Sequence, residues 1–170
     1  LGHLAAFFHP APREAMVVGL GSGATAGAVL RHEGVRADVA EISPEMVEAA
    51  HYFTSVNDDV LANPRFSLFT MDAREFLLLS HKQYDVIVSE PTNVWIPGVS
   101  NLFTRDFYQV VRAHLAPGGV FSQWLPGYSV DEGMVACTLA SLREAFPYVS
   151  LWNVRDEDLV FLASDRRPSL

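Results

Sequence analysis

Ala15-Met-Val-Val-Gly-Leu-Gly-Ser-Gly-Ala-Thr-Ala-Gly27 is the stretch that decides the architecture of this chain. An apolar, β-prone run stops at Gly19, Gly21 and Gly23, and a helix-compatible stretch begins at once. Glycine allows positive φ and removes the Cβ that would hold a ligand away, while the free N–H groups of the following helix start face the turn. A strand, a glycine turn and a helix in this order cradle a nucleotide. The acid that should accompany them is present. Glu41 closes a second β-prone run, Ala37-Asp38-Val39-Ala40, about twenty residues after the glycines, where a carboxylate can accept both hydroxyls of a ribose.

Outward from this unit, apolar runs of strand length alternate with amphipathic segments of helix length from Ala15 to Leu115, the pattern of consecutive βα units on a parallel sheet. Strands are predicted at 15–19, 36–41, 66–70, 84–89 and 118–123, and helices at 24–32, 44–53, 72–79, 104–115 and 131–145. Pro44 suits a first helical turn, with Ser43 as its N-cap and Glu45 and Glu48 near the positive end of the dipole. Pro117-Gly118-Gly119 reads as a turn between the fifth helix and the fifth strand. Farther on, Tyr148 to Val154 and Leu159 to Ser164 are β-prone runs joined by Arg155-Asp-Glu-Asp158, too short for a crossover helix and therefore an antiparallel hairpin. The expected fold is α/β: a Rossmann-like, mostly parallel seven-stranded sheet with a C-terminal antiparallel hairpin and helices on both faces. Many S-adenosylmethionine-dependent transferases use such a sheet. Residues 1–170 read as one nucleoside-binding catalytic domain, and the start at Leu1, without an initiator methionine, reads as the remainder of a longer chain.

Composition narrows the class. A chain of 170 residues can bury a core without disulfides or a structural metal. Cys137 is the single cysteine and no Cys/His cluster has zinc spacing, so the expectation is a reduced, cytoplasmic compartment and no metal. Cys137 itself is expected to be a small buried hydrophobe on the helix around Met134 to Leu142. Twelve basic against twenty acidic residues, a net charge of −8, argue against a grip on nucleic acid and permit a cationic substrate. No apolar stretch approaches membrane-spanning length. His3 and His9, in a segment without acidic neighbours, read as surface or packing residues.

The next strand ends carry the candidate chemistry. Gly21-Ser-Gly23-Ala-Thr-Ala26 also fits the dinucleotide pattern G-x-G-x-x-A, so at this point a nicotinamide or flavin reading stands beside the nucleoside one. Asp72, in Met71-Asp-Ala-Arg74, falls at the carboxyl edge of the sheet, where it can receive an adenine amino group, cap the helix through Leu79, or do both. Glu90 lies just past the fourth strand, at the crevice where open α/β sheets bind ligands, and a carboxylate there can hold or deprotonate an amine nucleophile. The alternative role for Glu90 is to orient backbone N–H groups of the following loop. That loop, Pro91 to Asn101, has no apolar period, and its Trp95 suits a substrate lid or packing over the sheet edge.

With these residues placed, the chain resembles the catalytic domain of the spermidine synthases, the polyamine aminopropyltransferases, over about residues 13 to 164. The matching features are the Gly19-x-Gly21-x-Gly23 turn, Glu41-Ile42, Asp72-Ala-Arg-Glu-Phe-Leu77, Tyr84-Asp-Val-Ile87, Leu102-Phe103 to Phe107-Tyr108, and Leu115-x-Pro-Gly-Gly-Val120. Ser89-Glu-Pro-Thr-Asn93 followed by Gly98-Val-Ser-Asn-Leu-Phe-Thr104 is similar to bacterial spermidine-synthase-like domains, some of them fused behind a membrane helix bundle. The resemblance implies binding of S-adenosylmethionine, its decarboxylated form or the product methylthioadenosine, held by Gly19, Gly21, Ser22 and Gly23, by Glu41 at the ribose and by Asp72 and Ala73 at the adenine edge. Glu90 stands where the family keeps its catalytic aspartate, and Asn93 and Trp95 fall on the substrate side. The departures are Ser22 in place of the aspartate that holds the aminopropyl ammonium, Glu90 one methylene longer, and Asn93 for a second loop aspartate. The Arg155–Asp158 turn is also too short for the family's tyrosine-bearing loop, and the family's amino-terminal β-region is missing.

The expected function is aminopropyl transfer from decarboxylated S-adenosylmethionine to a small amine, without metal, nucleic acid or membrane contact by this segment, and with a homodimer allowed. Methyl transfer to a small acceptor and a non-catalytic nucleoside-sensing role within a larger, membrane-attached protein are the rivals, and Ser22 favours both.

Overall fold

The computed structural model describes residues 1–92, 96–155 and 158–167. Its strands are β1 (Glu14–Val18), β2 (Arg36–Glu41), β3 (Phe66–Thr70), β4 (Tyr84–Ser89), β5 (Leu115–Pro126), β6 (Tyr148–Arg155) and β7 (Asp158–Ser164). They form one sheet in the order β3-β2-β1-β4-β5-β7-β6. Pairing is parallel from β3 through β5 and antiparallel at β5–β7 and β7–β6. The helices are α1 (Gly2–Phe7), α2 (Ala24–Leu30), α3 (Pro44–Ala50), α4 (Thr54–Asn57), α5 (Ala73–Leu79), α6 (Arg105–Ala113) and α7 (Glu132–Ala145).

The central strands are apolar on both faces because both faces are covered. Met16, Ile87, Phe121 and Phe161 pack under α5, α6 and α7. Val17, Val39, Val86 and Val88 pack under α1, α2 and α3. The chain winds outward from β1 to β3 and then returns to place β4 against the other side of β1, so the connections after β1 and β4 diverge and leave a crevice at their carboxyl ends.

Three predicted helix starts, Asp72, Thr104 and Asp131, prove to be caps, and Ser43 is the N-cap expected of it. Ser43, Asp72, Thr104 and Asp131 each accept the N–H of the residue three positions on, and the helix proper begins one residue later. Pro117-Gly118-Gly119 is not a turn between elements: β5 already begins at Leu115, opposite Tyr84, and resumes pairing at Val120 opposite Val86, so these residues form a bulge inside a strand of 12 residues. Cys137 is exposed, contrary to expectation. The buried positions of α7 are Thr138, Leu142 and Ala145, and one residue earlier the helix has turned about 100° toward solvent. His9 lies 3.8 Å from Asp85, an acidic neighbour supplied by β4. The segments α1 and α4 are too short for the apolar period to have announced them.

Although short, α4 carries the strut of the site. Asn57 is 1% exposed, and its Nδ2 donates to the carbonyl of Ser22 at 2.8 Å and to that of Ala50 at 3.0 Å, while its Oδ1 accepts from Val60 N at 3.4 Å. A Cβ on Gly27 would lie 2.5 Å from the Asn57 carbonyl oxygen, so glycine is what lets α2 come close enough for this contact. Asn57→Ala removes the side-chain donor to both carbonyls and should cost about 2–4 kcal/mol in denaturant unfolding. A change below about 0.5 kcal/mol, the scale of ordinary surface substitutions, would show that the glycine turn is held by something else.

Candidate functional site

Loops after β1, β2, β3 and β4 meet at the carboxyl edge of the sheet. In the first, Gly19, Gly21 and Gly23 take φ of 85°, 53° and 82°, which side chains rarely adopt. A Cβ on Gly21 would meet nothing within 4 Å, so conformation and not crowding requires glycine there, and the open space above it is free for a ligand. Gly23 is held from behind: a Cβ on it would come within 3.0 Å of Asn57 and Val60. Ser22 turns inward on the loop, its Oγ accepting from Ala24 N at 3.4 Å.

Glu41 ends β2 and is 7% exposed. Its Oε2 accepts from Leu20 N at 2.8 Å and its Oε1 from Ser43 N at 2.9 Å, so one carboxylate ties the first loop to the second. Each oxygen keeps a second lone pair. Asp72 serves as N-cap of α5 through Glu75 N at 3.0 Å and lines the crevice as well, so its two predicted roles are compatible in one geometry.

Gly19, Gly21, Glu41, Asp72, Ala73 and Glu90 line a common cavity of about 380 Å³, walled by the apolar side chains of Ile42, Met46, Ile96, Pro97, Val99 and Leu102. A volume of this order suits a small organic molecule. A second cavity of about 510 Å³ adjoins it on the α5 side, sharing Ile42, Asp72, Pro97, Val99 and Leu102 and adding Arg74, Glu75, Leu78 and Asn101. Ser22 and Gly23 shape the turn behind the first cavity. Asn93 and Trp95 lie outside the described residues.

Glu90 is exposed as a residue, yet protein crowds its carboxyl. That desolvation pushes the group above the ordinary glutamate range. The Thr25 hydroxyl, which donates to Oε2, opposes the shift, and repulsion from Asp158 adds to it.

Three residues of this edge escaped the sequence reading. In sequence Thr25 is one residue of a helix-compatible run. Asp158 belongs in sequence to a polar turn, but as first residue of β7 it lies beside Pro126 at the carboxyl end of β5 and its Oδ1 accepts from Trp124 Nε1 at 2.9 Å. Gln123 sits opposite Ser89 in the β4–β5 register and is fully buried. Its Nε2 donates to the Trp124 carbonyl at 3.0 Å, while its Oε1 and the Oγ of Ser89 have no hydrogen-bond partner among the described residues. A buried amide in an otherwise apolar strand was the available signal for Gln123. Nothing local marked the other two.

Among the described residues no group of three or more His, Cys, Asp and Glu is placed to hold a metal ion, and no helix is long and apolar enough to cross a membrane.

The sequence profile of the family described as spermine/spermidine synthase domain matches residues 1–154. A polyamine aminopropyltransferase of Nitrosomonas europaea is 37% identical over 149 residues, covering 86% of this chain and 46% of the relative. The chain spans about half the length of the curated relatives it matches. Among solved structures, spermidine synthase from Thermotoga maritima superposes with a TM-score of 0.84 at 25% identity, over 96% of this chain and 57% of that one. Human methyltransferase-like protein 13 in complex with SAH superposes with a TM-score of 0.72 at 23% identity, over 89% of this chain and 71% of that one, a likeness of fold.

Proposed function

We propose that this chain, which belongs to the spermine/spermidine synthase family, binds an adenosyl-sulfur nucleoside in the glycine-turn cavity and transfers the aminopropyl group of decarboxylated S-adenosylmethionine to a small amine. The observation that carries the reading is the placement of three carboxylates, Glu41, Asp72 and Glu90, on one cavity at the crevice beside a glycine turn. Glu41 would accept the ribose hydroxyls through its remaining lone pairs. Asp72 and Ala73 would meet the adenine edge, with Ile42, Met46 and Leu102 as the apolar faces of its slot. Glu90 would face the reacting centre on the acceptor side, toward Asp158 and Gln123.

The chemistry asked of these residues is modest. An amine nitrogen attacks the methylene carbon beside the sulfonium, the C–N bond forms, the C–S bond breaks with its electron pair going to sulfur, and methylthioadenosine leaves uncharged. The incoming amine is an ammonium at neutral pH and must lose a proton before it can attack. Glu90 takes that proton, and desolvation makes it a better acceptor than an ordinary glutamate. Holding the two reactants in line supplies much of the remaining acceleration.

Ser22 favours a second reading. Uncharged and turned onto its own loop, it cannot pair with the cationic arm of decarboxylated S-adenosylmethionine as an aspartate would, so methyl transfer from S-adenosylmethionine is the alternative on the same site.

Calorimetry against decarboxylated S-adenosylmethionine, S-adenosylmethionine and methylthioadenosine separates the two readings by which donor binds more tightly. NADH should bind more weakly than any of the three, because the reading places one nucleoside and no pyrophosphate on the turn; tighter NADH binding would restore the dinucleotide reading. In a Glu41→Ala variant shown by circular dichroism to remain folded, nucleoside affinity should fall by about 1.5–3 kcal/mol. Unchanged affinity removes Glu41 from the ribose.

The transfer rate should fall as pH drops through the raised pKa of Glu90, because the base works only when deprotonated. Glu90→Gln should lower the rate roughly a hundredfold to ten-thousandfold while leaving the nucleoside bound. A Glu90→Gln enzyme as fast as its parent would make Glu90 structural.

A further inference from the structure

We propose that Thr25 is the positioning residue of Glu90: its hydroxyl, from the first turn of α2, holds one carboxylate oxygen and so fixes which oxygen meets the acceptor amine. The inference rests on the reading of Glu90 as the proton acceptor. Its geometry does not.

Thr25 Oγ1 donates to Glu90 Oε2, joining residues 65 positions apart across the crevice. No described residue donates to Oε1, so that oxygen keeps its full capacity for an incoming N–H. The length of the side chain matters here. Glutamate has one methylene more than aspartate, and its carboxylate reaches Thr25 at the start of α2. Without a tether, the extra torsion would let the carboxylate wander among rotamers.

Thr25 is itself braced. A Cβ on Gly2 would lie 2.6 Å from the Thr25 carbonyl oxygen, so α1 packs against this point of α2 with no room for a side chain between them. Asn57 grips the neighbouring Ser22 carbonyl at 2.8 Å from the other side. The hydroxyl is thus carried on backbone fixed from two directions, as a tether must be.

The tether also bears on charge. Donation to the carboxylate favours its ionised form, against the desolvation that favours the protonated one. The other charged side chain facing Glu90 is Asp158, which repels it and cannot replace a directed hydrogen bond.

The test uses Thr25→Val, nearly isosteric but unable to donate, and Thr25→Ser, which restores the hydroxyl. The titration of the Glu90 carboxyl is followed in the full chain by carbon-13 NMR, with Glu90→Gln to assign the signal. Thr25→Val should raise the Glu90 pKa, Thr25→Ser should return it toward the parent value, and the nucleoside dissociation constant should change by less than about twofold. The acidic limb of the transfer pH profile should move upward with the titration, and kcat should fall on the order of tenfold with KM for the nucleoside little changed. In a Glu90→Gln background, Thr25→Val should add little, because the two side chains act as one unit. A Glu90 titration identical in parent and Thr25→Val overturns the proposal. If the titration shifts but neither parent nor variant transfers any group, the positioning stands and the transferase reading fails.

Discussion

Much of this molecule depends on the double hydrogen bond that Glu41 accepts from Leu20 and Ser43. A glycine turn held only by permissive backbone would be loose, since glycine loses more conformational freedom on ordering than any other residue. A carboxylate at the end of β2 solves this by drawing the N–H of the first loop and the N–H of the second to one point. The same carboxylate then faces the cavity that the two loops enclose. Support and cavity lining therefore share one side chain, and the two loops hold the shape of the cavity between them. Asn57 does the equivalent work from behind, so the turn is gripped on both sides.

The electrostatics of the crevice are arranged by competition. Burial raises the proton affinity of Glu90, a hydroxyl lowers it, and the carboxylate of Asp158, two strands away at the start of β7, raises it again. Together they act on a carboxylate set among the apolar side chains of the cavity, one residue past Ser89, whose β5 register partner Gln123 is buried with a carbonyl oxygen that has no hydrogen-bond partner among the described residues.

The fold was legible because its signals are local or periodic. Both-face burial makes the central strands apolar runs, four of the predicted helix boundaries were set by capping side chains that the sequence displays, and Glu41, Asp72 and Glu90 stand at strand ends where the topology must gather them. What was not legible depends on distance along the chain. Thr25 and Glu90 meet across 65 residues, Asn57 and Ser22 across 35, and no window of sequence contains either pair. Cys137 failed for a subtler reason: α7 is amphipathic with its buried line on Thr138, Leu142 and Ala145, and a small apolar residue one step away is apolar without being inside. The Pro117-Gly118-Gly119 stretch misled because the same residues that end strands also bulge them, and only the partner register of β4 distinguishes the two.

The β6–β7 hairpin closes the sheet at a point where only two residues separate Arg155 from Asp158. Asp158 lies at the same edge as the glycine turn, beside Pro126 on the far side of β5, and no strand that carries the glycine-turn cavity pairs with the hairpin. Insertions at a hairpin tip leave the ladder behind them in register. A longer loop here would therefore reshape the Asp158 side of the edge while the strands that carry the glycine turn stay as they are. Evolution has been handed a keyhole whose lock plate is bolted to a separate wall.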